Sequence, residues 1–356
     1  MKSQQVSVTA EPAQRIDRTL LSPDQLHRVL ERERCRADRS GLAFCLLTFK
    51  FAKSRSNRPE EGVAHFAEIL ATRLRLTDDA GLFGQRAVGI VLPGTGADGA
   101  WILARDLCQR LDSSATPPEV QVYTYPSAAG DFDACDLEAP EVANDSEPDS
   151  MERFFVQPLP AWKRLMDLIG ASLAMLLFLP VMVAACLGIK LSSPGPMFFK
   201  QWRIGLGGNA FQMYKLRTMV VDAEEKRNSL LELNEQEGPI FKIKNDPRIT
   251  PLGRMLRTTS IDELPQLWNV IKGEMSLVGP RPHLPHETAA YDPWNRRRLD
   301  VTPGLTCTWQ VGGRSKIGFE DWMRMDIRYI RRRSLANDIH LIFKTIPAVL
   351  FGKGAS

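Results

Sequence analysis

Residues 245–282 read NDPRITPLGRMLRTTSIDELPQLWNVIKGEMSLVGPRP, and here two adjacent carboxylates, Asp262 and Glu263, stand among Arg248, Arg254, Arg257 and Arg281. A carboxylate can attack phosphorus or hold a divalent cation, and guanidinium forks match phosphate oxygens. Phosphoryl chemistry is one reading of this stretch. The other is structural. Ser260-Ile-Asp-Glu263 has capping-box spacing, so Ser260 is expected as an N-cap with Glu263 as its partner, and both acids then only complement a helix dipole. Pro265 and Gly273 bracket a helix whose Leu264, Leu267, Trp268 and Ile271 recur at helical spacing. Gly279-Pro280-Arg281-Pro282 sets one arginine on a stiff turn. Composition alone leaves the two readings open.

The surroundings of this cluster are basic and apolar. Residues 151–356 hold 29 Lys and Arg against 19 Asp and Glu, a net of +10, whereas residues 1–150 carry a net of −6. The basic half is the one expected to seek an anionic partner. Within it, Leu168–Ile189 is an uncharged apolar run. A straight helix of that length reaches about 33 Å, enough for a hydrocarbon core of about 30 Å. Lys163 and Arg164 flank one end, and Lys190, Lys200 and Arg203 follow the other, so both ends favour the cytoplasmic side. Pro180 near the middle removes a helix hydrogen bond and favours a bend. Charge and proline together leave crossing and re-entry equally open. Ile339–Phe351 is apolar as well, and its pattern fits an interfacial helix or a packed one.

Upstream, Ser22 to about Pro126 alternates helix and strand signals. Helices are expected over 22–38, 60–76 and 99–111, with strands over 42–49, 87–92 and 120–125, the pattern of an α/β sandwich. Residues 128–152 hold nine acids, no bases, and Pro140 and Pro148, which reads as a solvated linker. The six cysteines are widely spaced, with no C-x-x-C pair, which argues against zinc and against a disulfide framework; reduced thiols in a cytosolic setting fit best. MKSQQVSVTAEPAQ has no apolar core, so no signal peptide is expected. Gly205-Leu-Gly-Gly208, between two strand-like runs, reads as a hairpin turn and not as a phosphate cradle. His283 and His286 lack further ligands for a metal, and the triplets Arg296–Arg298 and Arg331–Arg333 read as solvated or facing lipid headgroups.

Several motifs in order, from about Phe155 onward, resemble the bacterial sugar transferases, the monotopic polyprenyl-phosphate phosphoglycosyl transferases. They are Lys163-Arg164-Leu-Met-Asp167, Ser193-Pro-Gly-Pro196, Phe211–Met219 (FQMYKLRTM), the 245–282 stretch, Val301–Gln310 with Gly313-Arg314, and Met325-Asp326-Ile-Arg-Tyr329. The resemblance implies that Asp262 attacks the β-phosphate of a UDP-sugar, releases UMP and carries the phospho-sugar until a polyprenyl phosphate takes it. It implies that Glu263 holds Mg²⁺ and that Arg281, with Arg257 and Arg254, binds phosphate or nucleotide. Lys215, Arg217, Arg248, Arg314 and Asp326 fall in family motifs and are carried as further candidates for that role. It also favours re-entry of a helix of about 163–190, broken at Pro180, on the cytoplasmic face of the inner membrane. Leu179-Pro180 departs from the Ser-Pro often found at that break.

More faintly, Ser22–Pro126 resembles the GGDEF family of diguanylate cyclases, through Ser22–Leu26, Arg39–Phe49, Leu82–Pro93 and Ala100–Leu111. Where the signature would stand the chain reads Gly84-Gln85-Arg86-Ala87-Val88, without either acid. The expectation is a cyclase-like fold that has lost cyclase chemistry and serves docking, dimerisation or regulation. An unrelated α/β domain is the alternative. Together these readings give an α+β protein: a loose segment 1–21, a GGDEF-like domain 22–127, an acidic linker 128–154 and a monotopic transferase domain 155–356. The expected partners are a UDP-sugar, a polyprenyl phosphate and inner-membrane lipid, with a homodimer allowed and no nucleic acid. A membrane-attached nucleotide-sensing scaffold without transferase activity is the competing function.

Overall fold

A computed structural model describes residues 20–51, 59–84, 86–111, 117–126, 151–223, 225–226, 230, 243, 246–312 and 318–350. Residues 1–19 of the expected loose segment 1–21, the linker as far as residue 150, Gln85 and Arg314 lie outside the described residues. The chain divides into two compact units, one ending at Ala128 and one running from Glu152 onward.

The N-terminal unit runs α1 (Pro23–Ser40), β1 (Phe44–Lys50), α2 (Pro59–Arg73), β2 (Asp79–Leu82), β3 (Ala87–Pro93), α3 (Ala97–Arg110) and β4 (Glu119–Tyr125). Ser22 caps α1 in a reciprocal capping box with Gln25, and Gly41 ends it in the left-handed region. The sheet order is β2-β3-β1-β4, with every pairing antiparallel. Alternate residues of β1 face opposite sides. Cys45, Leu47 and Phe49 meet Phe66 and Leu70 of α2 and Ala100, Ala104 and Leu107 of α3. On the other side α1 lies so close that a Cβ at Gly89 would come within 2.9 Å of Leu26. The central strand is therefore covered on both faces, which explains its unbroken apolar run. Strand β2, with the sequence DAGL, is the element that propensity misses, because it is made by pairing with β3 and not by its own residues.

The C-terminal unit begins with a 3-10 turn that buries Glu152 and pairs it with Arg296 at 3.3 Å. It continues through α4 (Ala161–Ser192), β5 (Phe198–Ile204), β6 (Ala210–Leu216), α5 (Pro251–Thr258), α6 (Gln266–Lys272), β7 (Ser276–Val278), α7 (Pro285–Ala289), β8 (Gly304–Thr306), α8 (Thr308–Gly312), α9 (Phe319–Arg331) and α10 (Leu335–Leu350). Strands β5 and β6 form the expected hairpin around the glycine-rich turn, and β7 pairs with β8 in parallel. Among the described residues α4 is the one helix long and apolar enough to cross a membrane.

Pro180 sits inside α4 with helical residues on either side, so the chain is not unwound at the expected break. A proline costs one backbone hydrogen bond and favours a bend, which the 32 residues of this helix accommodate while staying helical. Both halves of α4 rest on the same body. Ala171, Ala174 and Met175 join Leu267, Val270 and Met275, while Ala185, Cys186 and Ile189 join Leu216 and Leu256. Between them Leu176, Leu177, Phe178 and Leu179 are exposed.

The basic flank before α4 is not the lipid-facing pair its charge suggests. Lys163 is buried and pairs with Asp338 of α10 at 2.5 Å, with the Tyr329 hydroxyl at 3.3 Å. Arg164 donates to the carbonyls of Val270 and Ile271 at the end of α6, where a cation complements the helix dipole. Asp167 accepts from Ser276 Oγ and from the Leu277 amide. The Lys-Arg-x-x-Asp motif is thus the dock that fastens the apolar helix to the rest of the unit. Helix α10 buries Leu341 against Val278 and Tyr329 yet exposes Ile339, Phe343 and Ile346, so it is packed on one face and apolar on the other.

Candidate active site

Four elements bring the charged residues together. The first is β6, which carries Lys215. Its free edge is satisfied by a side chain: Asn269 of α6 accepts from the Tyr214 amide at 3.1 Å and donates to the Gln212 carbonyl at 2.7 Å. A buried amide standing in for a neighbouring strand fixes the height of α6 against β6. The second is α5, capped by Thr250, whose first turn touches the chain just after β6. A Cβ at Gly253 would fall 2.0 Å from the Thr218 carbonyl oxygen, so this approach requires glycine. Its consequence is that Arg257, one turn later, donates from Nε to Thr218 Oγ1 at 2.9 Å.

The third element is a 3-10 turn, Ile261–Glu263, and here the structure corrects the expected capping box. Ser260 lies at φ +56, the one non-glycine residue with positive φ among the described residues, and its side chain caps nothing. Its amide bonds the Arg257 carbonyl instead. Helix α6 starts later, after Pro265, and Gly273 ends it at φ +93 as expected. The reason is electrostatic. Glu263 cannot reach back to Ser260 because Lys215 Nζ lies 3.0 Å and Arg281 Nη2 2.5 Å from its Oε1. Ion pairs of this kind in a part-buried site outweigh a neutral capping bond.

The fourth element is the Pro-Arg-Pro turn after β7. Its neighbours hold it by backbone and by side chain: the Gly279 amide donates to Thr306 and the Gly304 amide to Pro280. Arg298 donates to the Arg281 carbonyl at 2.7 Å and is itself held by Asp326 at 2.6 Å. Arg298 also donates to Nδ1 of His283, beside the Tyr291 hydroxyl. Since an arginine only donates, Nδ1 is the acceptor and His283 carries its proton on Nε2. Burial and then the charges of Arg298, Arg203 and Arg281 hold His283 well below its usual range, in agreement with a neutral ring. Burial raises Asp326 to about 6 even with Arg298 beside it.

The two adjacent carboxylates sit in different environments. Burial pushes Glu263 up, but Arg281 and Lys215 outweigh it and leave its carboxyl well below the ordinary value. Asp262 is buried, and no described side chain hydrogen-bonds to it. Burial, then the charge of Glu263, raises its carboxyl above the ordinary range despite Lys215, Arg257 and Arg281. One acid is thereby pinned and neutralised. The other is desolvated and hydrogen-bonded by no described side chain, an arrangement that leaves its oxygens available for chemistry. For a divalent cation the donor set is small, because no group of three His, Cys, Asp or Glu exists among the described residues. Glu263 Oε2 carries only a 3.4 Å contact. One loosely held carboxylate oxygen fits an ion such as Mg²⁺ that takes its other ligands from water and substrate phosphates.

The remaining sequence candidates separate. Arg254 is exposed on α5. Arg217 spends its fork on Ser193 and Pro194, closing the turn after α4. Arg248 forks onto Asp246 and the Ala223 carbonyl. Both are structural cations here, and their partners are too far away in the chain, or too ordinary, for spacing to reveal. Sequence reasoning also missed Arg203, Arg298, Tyr291 and Glu287. Arg203 reads in the sequence as a membrane flank and Arg298 as part of a solvated triplet, yet Arg298 is buried and Arg203 largely covered beside the Pro-Arg-Pro turn. None of the four lies in a motif that carries the family resemblance, so spacing offered no signal for them.

The sequence model of the family described as "Bacterial sugar transferase" matches residues 159–352. The "Galactosyl transferase CpsE" of Streptococcus agalactiae serotype III is 43% identical over 194 residues, 54% of this chain and 43% of that one. The "Exopolysaccharide production protein ExoY" of Rhizobium meliloti is 40% identical over 197 residues and is covered over 87% of its length. The "UDP-glucose:undecaprenyl-phosphate glucose-1-phosphate transferase" of Caulobacter vibrioides is 42% identical over 198 residues, 69% of its length. The chain thus spans less than half of the first of these relatives and most of the second. Among solved structures, a DGC protein from Thermotoga maritima covers 31% of this chain and 84% of its own at 18% identity, with a TM-score of 0.29. The active GGEEF domain of a Vibrio cholerae diguanylate cyclase gives 16% identity and a TM-score of 0.27.

Proposed function

The chain belongs to the bacterial sugar transferase family, and from that premise we propose that it moves a sugar 1-phosphate from a UDP-sugar to a polyprenyl phosphate, the first membrane step of a bacterial surface glycan. The observation that carries the reading is the unequal pair. Asp262 is buried and unengaged, while Glu263 is held by Lys215 and Arg281. In the first half-reaction an Asp262 carboxylate oxygen forms a bond to the β-phosphorus, and the bond to the bridging oxygen breaks, with UMP leaving. In the second, an oxygen of the polyprenyl phosphate attacks the same phosphorus and the carboxylate departs, giving the polyprenyl diphospho-sugar. A covalent intermediate divides one transfer into two easier ones.

Lys215, Arg257 and Arg281 counter the charge that would repel an anionic nucleophile from a diphosphate. Glu263, with phosphates of the donor, would hold Mg²⁺, which adds positive charge at the reacting phosphates. Asp326 acts at one remove, through Arg298 on the Arg281 carbonyl.

For the membrane geometry we take α4 to bend at Pro180 and re-enter: its two halves rest on one body and its middle is bare and apolar, which is what a helix that dips into a bilayer and returns to the side it left requires. We place that side at the cytoplasmic face of the inner membrane, and we assign the N-terminal unit a docking, dimerising or regulatory role without cyclase chemistry. The scaffold alternative gains nothing from a site in which every required charge is present.

The test is intact-mass analysis of detergent-purified protein with Mg²⁺ and a panel of UDP-sugars, without polyprenyl phosphate. The expected result is an adduct of one sugar phosphate, absent in Asp262→Asn and discharged by added polyprenyl phosphate. The absence of both adduct and UMP release across the panel would overturn the reading. The donor that loads identifies the sugar.

A further inference from the structure

Arg203 is a cation the transfer chemistry above does not use, and its surroundings are unusual. It lies on β5, opposite Phe211 in the hairpin register, and Phe199 lies opposite Lys215. Cross-strand partners and every second residue share a face. Arg203, Gln201, Met213 and Lys215 therefore stand on one side of the hairpin, the side that meets Glu263. Arg203 is buried to 85% of its side chain, and its nearest carboxylate, Glu287, is 3.8 Å away. That carboxylate already accepts from the Leu284 amide at 2.8 Å. Nη2 donates to Gln201 Oε1 at 2.6 Å and Nη1 to the Pro282 carbonyl at 3.3 Å. Its Nε–H has no hydrogen-bond partner among the described residues.

A buried guanidinium with one idle donor, one distant counter-charge and a second guanidinium nearby is costly in the free protein. Burial, with Arg281 acting against it, lowers it to about 10, whereas Arg281 itself is raised by its pairing with Glu263. The two arginines on this face are thus not equivalent. Arg281 has a protein acid at 2.5 Å, whereas the nearest acid to Arg203 is at 3.8 Å. An anion arriving beside Pro282 would give Arg203 a closer counter-charge and an acceptor for its Nε–H.

We propose that Arg203 grips the phosphate on the nucleotide side of the donor, so that Lys215 and Asp262 face the phosphate that is transferred and Arg203 faces the one that leaves. This rests on the transferase reading above. It implies that the leaving UMP is recognised by its phosphate at Arg203, beside the Pro-Arg-Pro turn. The second half-reaction, which has no nucleotide, should not need that contact.

The experiment separates the half-reactions in Arg203→Gln and Arg203→Lys, with thermal melting to show that both fold. Expected for Arg203→Gln is a tenfold to hundredfold slower adduct formation with a similar rise in the UMP inhibition constant. Discharge of preformed adduct by polyprenyl phosphate should stay within about twofold of the parent. Arg203→Lys, which keeps charge without the fork, should fall between. Equal slowing of both half-reactions, or an unchanged UMP constant, would overturn the assignment and leave the transferase reading standing. Failure of the parent itself to form an adduct would instead count against that reading. If Arg203→Gln does not fold, the UMP constant of Arg203→Lys alone decides the matter.

Discussion

The two units bury different things. In the N-terminal unit the interior is mostly a sheet of Val, Ile, Leu and Phe between helices, with Glu33, Arg34 and Asp78 as its buried charges. In the C-terminal unit many of the best-buried side chains are charged: Lys163, Asp167, Arg248, Asp262, Arg298, Asp326 and Asp338. Apolar burial stabilises a fold at roughly 25 cal/mol per Å² without directing any chemistry. Buried charge costs stability unless paired, and it is retained where position matters more than stability. The comparison teaches which unit is arranged for reaction and which for support.

The strongest attempt to break it is Asp262→Asn. Adduct formation should fall by on the order of 10⁴, read by intact mass and UMP release. The same substitution should raise the melting temperature. Asp262 is raised in the folded state, so its stabilising contribution is full below the unfolded pKa and is lost as pH rises through the folded one. The gain should therefore be larger at pH 8 than at pH 4, and a lower melting temperature at pH 8 would refute the account of a desolvated nucleophile.

Glu263→Gln should cost on the order of 10² in the first half-reaction, but with the opposite sign on stability. The acid is depressed, so it stabilises above its unfolded pKa, and removing it strands Lys215 and Arg281. About 3 kcal/mol should be lost at neutral pH by denaturant titration. Next in size is the pH profile of adduct formation in the parent. The rate should drop up to tenfold per unit on the acid side, with a midpoint above the ordinary aspartate value of about 4. A midpoint at or below that value would show Asp262 to be solvated.

Smallest in its effect on chemistry is Phe66→Ala, in the apolar core of the other unit. It should destabilise that unit by about 3–5 kcal/mol and leave adduct formation within twofold. A lost adduct would erase the division of labour between the units.

Much of the fold was legible because it is local. Ser22, Gly41, Gly273 and the 205–208 turn each announce an element end through their own conformational preference, and the helices and hairpin follow. Residue types alone left the Asp262–Glu263 pair open between chemistry and capping, and the resemblance chose between them. The pair's neighbourhood was misread where a long-range partner decides the outcome. Ser260 and Glu263 have capping spacing, but Lys215, 48 residues away, takes the glutamate. Lys163 and Arg164 look like a membrane flank, but their partners lie more than a hundred residues on. Spacing reports what a residue can do nearby and is silent about which distant charge will claim it.

The Lys163–Asp338 pair has a consequence in time. Asp338 follows Lys163 by 175 residues. At roughly 5–20 residues per second, translation delivers the aspartate about ten to thirty-five seconds after the lysine. Throughout that interval the first turn of the apolar helix carries a charge without its counter-ion. The helix can reach lipid early, but its seat on the catalytic body is completed only when one of the last helices emerges. A ribosome stalled between the two would leave behind a nascent chain that is attached to the membrane and still undocked.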